Sequence, residues 1–292
     1  MRKLLHFTFA ALFVLGINSC GSEPKKPEIE KEVLDPNSAL NMDFEGKIFS
    51  IPSPMQTALL MEEVNAPFNA SILNDISSVE SYNTDYQRAL NLGIYGTDLG
   101  YLSVYKKNSD ALRYLSTVEK LTNKLGLEGA FDKNFITRFE KNSTNKDSMM
   151  VIVADAFKKS DSYLKSNNRK EISALILIGG WIESLYLACE INKAKADVKI
   201  IERIGEQKET LNTIIEILKN YNKKNSYDDL IAEMESLQGF FNQIEVSYDF
   251  AQPKTDAKKK LTTLQHNMVV RLDNNLLNFI YQKITSIRSS II

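Results

Sequence analysis

Histidine and cysteine are almost missing from this 292-residue chain, which has two of each. One of the histidines, His6, lies in the N-terminal apolar run, leaving His266 in the body of the chain. That excludes a multi-histidine metal site. Cys20 and Cys189 are too few for a disulfide scaffold. Charge of one sign is also missing, because 36 basic residues face 37 acidic ones. That balance speaks against a nucleic-acid partner. There is no glycine-rich phosphate loop, HExxH, CxxC or serine elbow, so no metal and no cofactor is expected. With 43% hydrophobic residues the chain has enough apolar surface to fold.

Proline is confined to the two ends. Six of the seven prolines lie at or before Pro67 and the seventh is Pro253, so none interrupts residues 68–252. A stretch that long without the strongest helix breaker predicts an all-α domain. Periodicity agrees. Leu230, Met234, Leu237, Phe241 and Ile244 recur at helical spacing, as do Leu277, Ile280, Ile284, Ile287 and Ile291. Gly126 marks a helix end. Helices are expected near 54–65, 84–107, 110–125, 133–141, 146–166, 170–193, 198–221, 227–243 and 274–290. The fold class is therefore an all-α, multi-helix bundle of about eight or nine helices. One short β-hairpin near the C-terminus would pair Val246–Phe250 with Met268–Leu272.

Two of these helices depart from the ordinary pattern. The first carries Gly93, Gly96 and Gly100 within eight residues, at a cost of about 2–3 kcal/mol relative to alanine. The second runs from Ala174 to Leu187, nearly apolar all round, and carries Gly179 and Gly180. The five glycines are candidate close-packing positions, where another backbone can approach. Each segment has an acid three residues before a tyrosine: Asp98 and Tyr101, Glu183 and Tyr186. Asn91, Tyr95, Asp98, Leu102 and Tyr105 form one stripe on the first helix. Asn91, Tyr95, Asp98, Tyr101, Trp181, Glu183 and Tyr186 are thus the candidate polar core or pocket. In one reading they form a structural network in which tyrosine hydroxyls, Asn91 or an arginine such as Arg88 satisfy the acids. In the other they are the floor and walls of a ligand pocket.

The N-terminus reads as an address. Arg2 and Lys3 precede an apolar run from Leu4 to Ile17, too short to span a bilayer comfortably. The run ends in Ile17-Asn18-Ser19-Cys20, which resembles the bacterial lipobox, in which the cysteine is acylated and the signal is cleaved before it. Residues 1–19 are then a signal peptide, 20–50 a lipidated cysteine and flexible tether, and 51–292 the helical domain. Cleavage removes Arg2 and Lys3 and leaves 34 basic against 37 acidic residues, so attachment falls to the lipid.

The lipobox, the proline-bearing tether, Ile51-Pro52-Ser53-Pro54, Ala89–Tyr101, Asn145-Lys146-Asp147-Ser148 and Gly179–Tyr186 together resemble a family of helical lipoproteins of the Bacteroidota lineage. The resemblance covers most of the chain and implies a helical domain facing the periplasm or the cell surface; it carries no activity. The expected protein is lipid-anchored in the bacterial cell envelope, at the outer membrane. Its expected partners are the membrane, through the anchor, and another envelope protein, with no nucleic acid. The leading function is a non-enzymatic helical binding or scaffold domain. The alternatives are a small-ligand-binding lipoprotein with its pocket between helices 84–107 and 170–193, and a carboxylate-dependent hydrolase.

Overall fold

A computed structural model of the protein describes residues 39–44, 47–52, 54–127, 133–223, 225–258 and 261–292. The signal segment and Cys20 lie outside the described residues. The chain is an all-α bundle with a two-stranded hairpin near the C-terminus. In chain order come the strands β1 (Ala39–Phe44) and β2 (Lys47–Pro52), then α1 (Pro54–Glu63), α2 (Asp85–Val104), α3 (Asn108–Lys124) and α4 (Lys133–Lys141). There follow α5 (Lys146–Ser166), α6 (Lys170–Ala194), α7 (Val198–Gly205), α8 (Gln207–Tyr221) and α9 (Asp228–Phe241). The strands β3 (Glu245–Asp256) and β4 (Leu261–Arg271) precede α10 (Asn274–Ser289).

α2 and α6 form the axis of the bundle and pack along each other. α1 and α5 touch both; α3 flanks α2, and α7, α8 and α10 flank α6. By length and composition α6 could cross a membrane, yet 89% of its most apolar window is buried inside the bundle. Its all-round apolarity is thus accounted for by neighbours on every side. Cys189 is buried in α6, and burial pushes its thiol pKa up.

Local signals explain several helix ends. A capping box of Thr84 and Gln87 opens α2. The Asn145 side chain accepts from Ser148 N at 3.0 Å and opens α5. Gly126, at φ +66°, terminates α3.

Three features differ from the sequence reading. Residues 39–52, mostly given to the tether by composition, pair as an antiparallel hairpin from Ala39↔Pro52 to Phe44↔Lys47. Leu40, Met42 and Phe44 alternate with polar residues there, a strand pattern in a segment too short to change the composition. The single helix expected over 198–221 is two, divided at Gly205 and Glu206. Glycine is the weakest ordinary helix former, and here it admits the Val270 side chain. The C-terminal hairpin is also longer than expected, with 12 residues in β3 and 11 in β4. Its register holds from Glu245↔Arg271 to Asp256↔Leu261, with a shift between Ala251 and Lys254 that accommodates Pro253.

A Cβ on Gly205 would lie 2.3 Å from Val270 Cγ1. Gly205→Ala should therefore lose stability by about 1–2 kcal/mol despite alanine's better helix propensity. The double variant Gly205→Ala/Val270→Ala should lose less than the sum of the single losses, as read by urea titration. Strict additivity would mean that the two side chains do not meet.

Candidate functional site

The site begins with a backbone contact. A Cβ on Gly93 would lie 2.0 Å from Ile176 O and 2.5 Å from Gly180 N. A Cβ on Gly179 would lie 1.9 Å from Leu90 O. No side chain fits at either point, so α2 and α6 touch backbone to backbone. Thr97 Oγ1 fastens the crossing through Gly93 O at 3.0 Å and Gly180 O at 3.2 Å. Gly96 has another role: with Leu92, Leu99, Val118, Phe135 and others it borders an apolar cavity of about 20 Å³, the size of one water. Gly100 is buried in α2.

Asp98 lies five residues beyond Gly93, and Glu183 four beyond Gly179. The close crossing brings their carboxyls together, both fully buried. The cation that balances them is Arg288 of α10. It donates from Nε to Glu183 Oε2 at 2.6 Å and from a terminal nitrogen to Oε1 at 2.9 Å. The same nitrogen reaches Ile72 O at 3.2 Å, and the guanidinium lies 4.3 Å from the centroid of the Tyr186 ring. Burial opposes the charge on Arg288, but Glu183 and Asp98 outweigh it and hold its pKa above the ordinary value.

Two buried acids face one cation, and a proton settles the difference. Burial first, and the charge of Glu183 second, push the Asp98 pKa well above the usual carboxylate range, against the pull of Arg288 and of Asn74 N–H. Burial also raises Glu183, while Arg288 draws it down. Asp98 Oδ2 accepts from Asn74 N at 3.0 Å. As a carboxylate, Asp98 would leave Oδ1 buried with no donor. As a neutral acid it donates to the Glu183 carboxylate beside it, and the charge then balances one for one.

The remaining stripe residues hold the irregular connection from α1 to α2. It runs antiparallel to α2 and is tied to it about once per helical turn. Tyr105 OH donates to Ala66 O at 2.9 Å and Tyr101 OH accepts from Asn69 N at 3.1 Å. Asp98 takes Asn74 N, and Tyr95 OH donates to Asp75 O at 2.6 Å. Tyr114 of α3 donates to Asn74 O at 2.7 Å. Asn91 Nδ2 holds Ile291 O at 2.9 Å, and its Oδ1 accepts from Asn74 Nδ2 at 3.3 Å.

The structure therefore brings Asn91, Tyr95, Asp98, Glu183 and Tyr186 into one region, with Tyr101 at its edge. Trp181 faces elsewhere: its Nε1 donates to Gln207 Oε1 at 2.9 Å, toward the α7–α8 junction. Arg88, weighed as a partner for the acids, pairs instead with Asp85 at 3.2 Å and with Tyr82 O. It sits about 15 Å along α2 from Asp98, beyond reach. The residues not anticipated are Arg288, Asn74 and Tyr114. Arg288 had a signal: it lies four residues after Ile284 and three before Ile291, on the apolar face of its helix.

Among the described residues no His, Cys, Asp or Glu cluster suits a metal ion. Comparison with known proteins finds no matching family model, no similar curated protein and no similar solved structure.

Backbone at Ile176 and Gly180 cannot yield, so Gly93→Ala should cost about 1–3 kcal/mol or more, whereas Gly96→Ala borders free space and should cost under about 1 kcal/mol. Urea titration of both variants checks the contrast, and equal losses would refute it.

Unfolded, Asp98 titrates at about 3.9; folded, it titrates higher. Between those values the native state holds one more proton. Its contribution to stability is therefore complete below the unfolded pKa and is lost as pH rises through the folded pKa, by up to about 1.4 kcal/mol per pH unit. Asp98→Asn keeps an acceptor for Asn74 and a donor for Glu183 but has no proton to lose. The stability of the parent minus that of the variant should fall steadily from about pH 4 upward. A difference independent of pH would show that Asp98 is ionised in the native state. Arg288→Ala should cost about 3–5 kcal/mol, because it strands a buried carboxylate.

Proposed function

We propose that the protein is a membrane-anchored lipoprotein of the bacterial envelope, bound to the outer membrane through acylated Cys20, whose helical domain is a non-enzymatic binding or scaffold module. One observation carries the reading of the domain: the polar groups along α2 bond mainly to the chain's own backbone and side chains. Tyr95, Tyr101 and Asp98 bond to backbone of the 66–83 connection, and Glu183 is held by Arg288. Buried polar groups satisfied in this way offer a ligand little to bind.

A pocket between α2 and α6, which the small-ligand reading needs, competes with the contact at Gly93 and Gly179. A carboxylate-dependent hydrolase would need both carboxyls to flank a scissile bond, separated by about 5 Å or more. Asp98 and Glu183 instead lie fully buried in the core, with Glu183 held by Arg288. The anchor rests on Ile17-Asn18-Ser19-Cys20 behind an apolar run, and the tether on the prolines and charged residues that follow.

Metabolic labelling with a fatty acid tests the anchor. Label should appear on the parent and vanish in Cys20→Ser, which should also leave the detergent phase on partitioning. Label retained in that variant would overturn the anchor. The lipidated chain used as bait on detergent-solubilised membranes should retain a defined envelope protein. Turnover of a substrate that is abolished by Asp98→Asn would overturn the non-enzymatic reading.

A further inference from the structure

We draw no further inference here: the strongest candidate, the apolar cavity of about 20 Å³ between α2, α3, α4, α5 and α6 that the buried Ser160 borders, has room for about one water, and nothing in the structure shows what covers it.

Discussion

The backbone contact of α2 with α6 at Gly93 and Gly179 is the constraint on which the rest of the molecule depends. Asp98 and Glu183 stand about one turn beyond that contact, each fully buried. Asp98 and Glu183 therefore meet in the core, where an unbalanced charge is costly. Two things balance them: Arg288 from the far end of the chain, and a proton on Asp98. A buried ion pair is a modest source of net stability, but moving α10 off Glu183 would leave a buried charge without its partner, which is costly. The α2–α6 contact thus also sets where the last helix lies.

The same helix solves a second problem. The connection between α1 and α2 has only two short 3₁₀ turns, Ala70–Ile72 and Ile76–Glu80, so much of its backbone needs partners from elsewhere. Tyr105, Tyr101, Asp98 and Tyr95 supply them at successive turns of α2, and Tyr114 adds another from α3. A row of tyrosines beside a carboxylate looks like the lining of a site, and here the chain itself fills it. The burial that raises the Tyr95 phenol pKa also keeps its proton available to Asp75 O.

The parts that were legible in the sequence share one physical property: they are written within a few turns of chain. Apolar spacing in α9 and α10 is local, and so is the propensity of Gly126 to end α3. The oddity of the glycine-bearing helices was legible too, because glycine in a helix interior demands a compensating contact. Features set by distant groups were harder to read. Arg288 is 105 residues from Glu183, and nothing near either one names the other. The break at Gly205 depends on Val270, which arrives from β4. Trp181 sits in the same apolar run as Glu183 but turns toward Gln207, because neighbouring positions on a helix point to different sides.

By itself the sequence determined the class of fold, the position of nearly every helix, and the oddity of two glycine-bearing helices that each carry an acid among apolar neighbours. Proline placement, apolar period and glycine cost decide those matters without reference to the rest of the chain. Only the tertiary structure decided which glycines touch, which cation answers the acids and what the tyrosines hold. Those outcomes depend on which groups meet across the core, and in a close-packed interior that is a property of all the helices at once.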